Sequence, residues 1–298
     1  MQRARTLPKT QFVAKRILSH LPVYIMLTGF AFIFLLPFIY MISTSLKSPV
    51  DLYDPTVKWI PRHITLQNFK SAAFVLDFWD RLKTSLLVTL TAVIGQVLSC
   101  SLIAYGFARF RFRLRNALFM LVLFSVIVPP QTIIIPSYIN FSNMNMLGTF
   151  LPVIVPCFFG MGLNGAIFIF IFRQFYKGLP TDLEDAATID GCGFLKTFWK
   201  IILPTSRTSL LVVFILSFIW HWNDYFEPAM YLIDVSRGTL TMYLEIMETP
   251  IAMQKYMDQY TVAVKMACTL LTILPVMIMY AFLNRKFIQG IEYSGLAN

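Results

Sequence analysis

Residues 21–42 read LPVYIMLTGFAFIFLLPFIYMI, 22 residues without one charged side chain. A bilayer core roughly 30 Å thick is crossed by about 20 apolar residues in a helix, because a helix satisfies its own backbone polar groups where no water can. The stretch therefore predicts a transmembrane helix. Five more of similar length follow, at 85–107, 118–139, 149–172, 209–227 and 262–283.

Composition agrees with that reading. Of the 298 residues, 57% are apolar and only 13% charged, and the mean hydropathy is +0.66; such a chain belongs with multi-span membrane proteins and not with soluble globular domains. The expected fold is all-α and polytopic: one membrane domain over 21–284 with six transmembrane helices, flanked by tails at 1–20 and 285–298. No low-complexity tract or internal repeat divides it. The basic leader MQRARTLPKTQFVAKR has the charge of a secretory signal. Its apolar run is too long and no small-residue cleavage site follows, so a retained anchor is expected. Cys100, Cys157, Cys192 and Cys268 show no CxxC spacing and are read as small buried apolar residues.

The formal charge of +10 does not point to nucleic acid, because of where it lies. With the N-terminus inside, the cytoplasmic segments carry 16 Lys and Arg residues and the external ones 8. The positive-inside bias then places both termini in the cytoplasm. The first external segment, 43–84, runs against the rule with six basic residues.

Within the third span, Pro129, Pro130 and Pro136 surround Gln131. Prolines free backbone carbonyls, which membranes tolerate only beside other helices or a water-lined path, so this is either a packing kink or a bend in a pathway. Gly160, Gly162 and Gly165 in the fourth span predict close helix approach. The fifth span ends in FIWHWNDYFEP. An aromatic belt accounts for its rings, while Trp222, Asn223 and Asp224 are candidates for a translocation path or gate, since polar groups at membrane depth often mark one. His221 alone is read as a hydrogen-bonded interfacial residue and not as a metal ligand.

Between the fourth and fifth spans lies the long cytoplasmic segment, including EDAATIDGCGFLKTFWKIILP at 184–204. Thr181 and Glu184 have capping-box spacing, predicting a helix over 182–190 ended by Gly191 in a left-handed conformation. Asp182, Glu184 and Asp185 crowd its first turn, where the helix dipole favours acids; Ala186 and Ala187 leave its surface flat. The second half reads as a helix closed by Pro204, with Phe194, Leu195, Phe198, Trp199, Ile201 and Ile202 on one face and Lys196 and Lys200 on the other. On these grounds alone the pair is either an ordinary hairpin or a docking element.

The order acid, Ala, Ala, three residues, Gly, then nine residues, Ile, one residue and Leu-Pro resembles the EAA loop of ABC importer permeases. The matching residues are Asp185, Ala186, Ala187, Gly191, Ile201, Leu203 and Pro204, with Glu184 and Asp190 beside them. The segments ARFRFRLRN, VPPQTIIIPSYI and WNDYFEP extend the similarity over nearly the whole chain, toward the smaller permease subunit of maltose-type carbohydrate importers. The resemblance implies that this loop is a coupling helix docking into a cytoplasmic ATPase. It implies a second permease subunit, two ATPase subunits carrying ATP and Mg, an extracytoplasmic solute-binding protein, and a place in the bacterial inner membrane. Two departures stand out. Asp185 replaces the usual Glu, and the tail RKFIQGIEYSGLAN lacks the Lys often found in the family's ending, so no tail contact is carried over.

No Gly is followed by Lys, so the P-loop signature is absent, and metal-ligand spacings are missing too. The chain is therefore expected to be no enzyme, to bind no cofactor or metal itself, and to engage membrane lipid and no nucleic acid. The leading function is import of a sugar or oligosaccharide by alternating access, with a glycerol-phosphate-type solute as the alternative. An intramembrane enzyme built on His221, Asp224 and Glu227, and an ion-driven secondary transporter, are the readings from other classes. The last external loop, YLIDVSRGTLTMYLEIMETPIAMQKYMDQY, is a candidate contact for the binding protein.

Overall fold

A computed structural model describes residues 9–234, 237–247 and 261–295. Among them the chain is helical, with one isolated antiparallel bridge between Lys47 and Ile64. The helices are α1 (Lys9–Ser45), α2 (Pro49–Tyr53), α3 (Gln67–Val75), α4 (Phe78–Arg109), α5 (Arg115–Phe124), α6 (Pro130–Asn143), α7 (Leu151–Ile154), α8 (Gly165–Gly178), α9 (Asp182–Ile189), α10 (Phe194–Thr197), α11 (Leu203–Thr205), α12 (Arg207–Asn223), α13 (Phe226–Tyr231), α14 (Leu240–Ile246) and α15 (Val262–Gly295). The chain forms two compact units, Met1–Ala72 with Asp258–Leu270, and Ala73–Met257 with Leu271–Asn298.

Three stretches, His20–Ser45, Phe78–Arg109 and Val262–Asn284, are long and apolar enough to cross a membrane, and Phe194–Thr205 with Arg207–Asn223 qualifies as a pair bent by 80°. The intervals expected to be the third and fourth spans are each broken. In the third, α5 stops at Phe124 and α6 starts at Pro130. Pro129 is extended at ψ 137, because neither proline offers an N–H and each restricts the residue before it. In the fourth, α7 passes into a 3-10 turn over Val155–Phe159, and Gly160 and Asn164 at φ +71 and +58 redirect the chain into α8. The fifth helix ends at Asn223, short of the expected 227, because Asp224 leaves the helical region and its Oδ1 accepts the N–H groups of Phe226 and Glu227 at 3.1 and 3.3 Å, opening α13.

In the first unit the segment after α1 is tied by buried polar groups. Lys47 Nζ donates to the carbonyls of Val57 and Lys58, both at 2.9 Å, and Asn68 Nδ2 donates to those of Ser45 and Lys47, both at 2.8 Å. Ser43 Oγ donates to the Trp59 carbonyl. Buried Asp51 accepts the His63 N–H at 2.6 Å and faces His63 Nδ1 at 3.0 Å. The bond from the His63 backbone holds the Asp51 carboxyl below its ordinary value of 3.8. A depressed carboxylate stabilises the fold above that ordinary value and loses its contribution as pH falls through the shifted one.

In the second unit α4 is the central element. Ala92, Gly95, Cys100, Ser101 and Ala104 of α4 are small and buried, which lets neighbours approach closely. A Cβ on Gly95 would lie 2.6 Å from the Phe158 ring; one on Gly162 would strike Cys157, and one on Gly165 would strike the Gly160 carbonyl. At the inner side Phe168, Phe172 and Tyr176 of α8, with Phe198, Ile202 and Val213, are fully buried around Cys100, Ala104 and Tyr105. The three cysteines expected inside spans, Cys100, Cys157 and Cys268, are buried and free; Cys192 is half-buried.

Gly165→Ala should therefore be costly, since backbone and not a movable side chain occupies the site. Thermal unfolding in detergent should shift down by at least about 3 °C. Gly178→Ala, with nothing within 4 Å of its Cβ, should melt at the parental temperature or higher, because Ala favours a helix over Gly by roughly 0.5–1 kcal/mol. Equal melting of Gly165→Ala and the parent would contradict the close approach.

Candidate functional site

The insert between α8 and α12 is built around Gly191. Its φ of +70 reverses the chain after α9, with the Cys192 N–H returning to the Ala187 carbonyl at 2.8 Å. Asp182, Asp185, Ala186 and Asp190 are exposed on α9, and Ala187 is 2% exposed against the protein's own core. The two adjacent alanines, about 100° apart around the helix, thus differ in setting: Ala187 is buried and Ala186 is exposed.

The capping box does not form. Thr181 makes no side-chain cap bond, and Glu184 turns instead to α4, where its Oε1 lies 3.3 Å from Arg109 Nε, the side chains being 20% and 11% exposed. A mostly desolvated guanidinium attracts a carboxylate more strongly than an exposed backbone N–H does. Removing one partner of such a buried pair costs roughly 3–5 kcal/mol. Arg109 Nη2 also donates to the Leu179 carbonyl at 2.6 Å.

The second half departs from the expected single helix. A π turn over Phe198–Ile202 separates α10 from α11, and its wider winding shifts the face. Phe198 and Ile202 are fully buried, Ile201 and Leu203 half-buried, and Phe194, Leu195 and Trp199 at least 38% exposed. Lys196 and Lys200 are exposed, as the sequence predicts. Pro204 does not close the helix: α11 continues to Thr205, and the turn into α12 comes at Ser206, at φ −89 and ψ 20.

The candidate path residues occupy different settings. Pro129 precedes α6, Pro130 is its first residue and Pro136 lies within it; these and Gln131 are exposed. Trp222 is 2% exposed, its indole N–H donating to the Thr272 carbonyl at 3.1 Å. Asn223 is exposed, and Asp224 is half-buried with Oδ2 lacking a hydrogen bond among the described residues. A cavity of about 680 Å³ lies between Leu118–Ile133 and the turn Phe159–Ala166, lined by Pro130 and Asn164, with Glu227 as its carboxylate. Among the described residues no three metal-ligating side chains gather.

His221 is hydrogen-bonded, as expected, and lies inside the protein. It is buried with Nε2 2.8 Å from Gln96 Oε1, which also accepts from Ser217 Oγ at 2.8 Å, while Gln96 Nε2 donates to the Leu163 carbonyl at 2.7 Å. One amide from α4 thus joins α12 to the turn before α8. The sequence reading passed over Gln96, although a lone amide inside an apolar span is itself a signal that buried partners exist. The segment 231–260, expected to be the last external loop, is described only at 231–234 and 237–247; the rest of that expected binding-protein contact lies outside the described residues, as do 1–8 and 296–298 of the tails.

Gln96→Met should leave two buried donors without their acceptor and cost about 1–3 kcal/mol for each. A large fall in melting temperature in detergent is expected, with little recovery in the Gln96→Met/Ser217→Ala double variant because His221 Nε2 is left with only the weak contact to the Cys157 thiol at 3.7 Å. Parental melting of Gln96→Met would show the amide to be dispensable.

Residues 97–289 match the family model described as binding-protein-dependent transport system inner membrane component. The chain is 28% identical over 257 residues to a probable starch degradation products transport system permease protein of Thermoanaerobacterium thermosulfurigenes, covering 86% of this chain and 89% of that one. It is 31% identical over 210 residues to an sn-glycerol-3-phosphate transport system permease protein of Yersinia pestis, covering 70% and 71%. It is 29% identical over 291 residues to an arabinooligosaccharides transport system permease protein of Halalkalibacterium halodurans, covering 95% and 99%. Its fold matches a chain from a bacterial ABC transporter involved in the import of the acidic polysaccharide alginate, with a TM-score of 0.76 at 20% identity over 95% of this chain and all of that one. With a family match over well more than half its length and the matching permease fold, the chain belongs to the inner membrane components of binding-protein-dependent transport systems, as a transport subunit and not a catalytic ATPase.

Proposed function

We propose that this chain is the permease subunit of a bacterial ABC importer for an oligosaccharide or sugar, with α9 as the docking helix for a partner ATPase. The observation that carries the docking role is the split of α9 into two faces: Ala187 and Glu184 hold it to the protein, while Asp185, Ala186 and Asp190 stand outward with no cover among the described residues. Ala186 leaves a flat surface, and Gly191 needs its left-handed φ but has open space around it.

In this reading six membrane crossings leave both termini, the basic Arg109–Arg115 loop and the insert in the cytoplasm, with the broken third and fourth spans completed by lipid and by a second permease subunit. Residues 21–284 act as one permease domain. Two ATPase subunits bind ATP and Mg, a solute-binding protein delivers substrate from outside, and the chain itself holds no cofactor or metal. Ile201, Leu203 and Pro204 shape the return of the insert into α12. The exposed Pro129, Pro130, Gln131 and Pro136, with Asn223 and Asp224 beyond buried Trp222, form this subunit's side of the path. The unpaired Asp224 oxygen and the Glu227 carboxylate supply acceptors for sugar hydroxyls there. Two of the three named relatives carry oligosaccharide or starch-product names, which supports a carbohydrate; the third supports the alternative, a glycerol-phosphate-type solute.

Ala186→Trp should abolish co-purification of the ATPase while the permease stays in the membrane, and normal retention with normal uptake would end the docking reading. Gly191→Val, strained by roughly 1–2 kcal/mol for its left-handed backbone, should lower uptake more than permease abundance. For the substrate, proteoliposomes holding the whole importer should take up a labelled oligosaccharide in an ATP- and binding-protein-dependent way. Uptake of sn-glycerol 3-phosphate alone would overturn the carbohydrate assignment.

A further inference from the structure

Building on the docking role of the insert, we propose that Tyr105 and Arg109, one helical turn apart on α4, are positioning residues that deliver the insert's motion to α4, making α4 the rod between the insert and the segment 237–247.

The grip covers both halves of the insert. Arg109 Nε lies 3.3 Å from Glu184 Oε1 in α9, and its Nη2 holds the Leu179 carbonyl at 2.6 Å just before α9 begins. Tyr105 is 3% exposed. Its ring stacks on Phe194 of α10 at 5.1 Å with 3° between planes, meets Phe198 at 5.5 Å and Tyr176 at 6.0 Å, and its hydroxyl faces the Glu184 carboxylate. Residues four apart on a helix lie on one face, so a single turn of α4 contacts both halves.

The covalent links into the insert are poorly suited to carrying displacement. Gly191 and Gly193 have no atoms within 4 Å of a built Cβ, and α12 meets α10–α11 through an 80° bend. Force entering α9 and passing only along the chain would be spent on these joints. A charge pair mostly removed from solvent is strong and falls off with distance, and a stacked ring pair resists sliding.

The far end of α4 is held in the same manner. Arg81 Nη1 donates to the Gly238 carbonyl at 3.2 Å, its guanidinium lies 3.5 Å from the centre of the Tyr243 ring, and Ser85 Oγ accepts the Leu240 N–H at 2.8 Å. At about 1.5 Å per residue, the two gripped ends are some 36 Å apart along one unbroken helix. Proline is absent between Phe78 and Arg109, so α4 has no proline break of the kind that interrupts the third span. The basic loop 109–115 thus contains one arginine whose neighbours give it a task beyond membrane orientation.

The test uses the full importer, with partner permease, ATPase and binding protein, reconstituted in proteoliposomes with Arg109→Gln, Tyr105→Leu or Tyr105→Phe. The readout is substrate transported per ATP hydrolysed, taken only on complexes with parental ATPase content, which a purely structural defect would not change. Arg109→Gln and Tyr105→Leu should lower the ratio at least about fivefold, within the usual range of coupling between sites. Tyr105→Phe, which keeps the ring stack, should recover most of it. An unchanged ratio for Tyr105→Leu and Arg109→Gln overturns the proposal, and failure of either variant to retain ATPase at all also counts against it, since the grip would then serve docking. Ala186→Trp separates the two readings. If it releases the ATPase while the ratio is unchanged in the α4 variants, only the rod fails; if it transports normally, the docking role fails.

Discussion

Close packing against the small residues of α4 is the constraint on which the second unit depends. In hydrocarbon there is little hydrophobic gain from bringing apolar helices together, so their association rests on van der Waals contact and buried polar bonds. Gly95, Gly162 and Gly165 leave no room for a side chain. Because the backbones come so near, Gln96 can reach the Leu163 carbonyl and the side chains of Ser217 and His221 at once. The glycines and the amide therefore work as one device: the first permits an approach that the second makes directional.

The same economy shapes the insert. Its inner side carries Phe198 and Ile202, fully buried in one cluster with Phe172 and Tyr176 of α8, and its exposed side mixes acidic and basic residues with Ile189, Leu195 and Trp199. Burying the rings fixes where the two short helices sit without using their exposed surface. A helix as short as α9 is not stable alone, so its order depends on this anchoring and on the Glu184 pair.

What the sequence made legible was whatever depends on neighbours along the chain. The left-handed Gly191 follows from a glycine after a helical pattern, and α1, α4 and α15 follow from uninterrupted apolar runs. The departures from the sequence reading have two physical sources, and the first is competition from residues distant in sequence. Thr181 and Glu184 have the spacing of a capping box, yet Arg109, 75 positions earlier, takes the carboxylate. His221 sits among interfacial aromatics in sequence, yet Gln96 draws it inside. The breaks in the third and fourth intervals were signalled by Pro129, Pro130, Gly160 and Asn164, but an apolar length rule counts residues and does not ask whether their backbone can stay helical.

Polar groups inside the second unit fall into two kinds. Gln96, Ser217 and the indole of Trp222 have their bonds made by the protein itself; they are finished, and their role is to hold helices together. Asp224 keeps one oxygen without a hydrogen bond among the described residues, and Glu227 borders a cavity. Leaving an acceptor unsatisfied costs free energy that packing alone gives no reason to accept. Gln96, Ser217 and Trp222 lie on α4 and α12, and Asp224 stands where α12 ends and the chain turns; the buried Tyr176 hydroxyl and His221 Nδ1 also lack a hydrogen bond among the described residues, so it is the place of Asp224 beside the cavity carboxylate Glu227 that sets it apart. In the proposed function a solute offering hydroxyl donors would meet Asp224 and Glu227 there, while the bonds that tie α4 to α12 through Gln96 are already made by the protein itself.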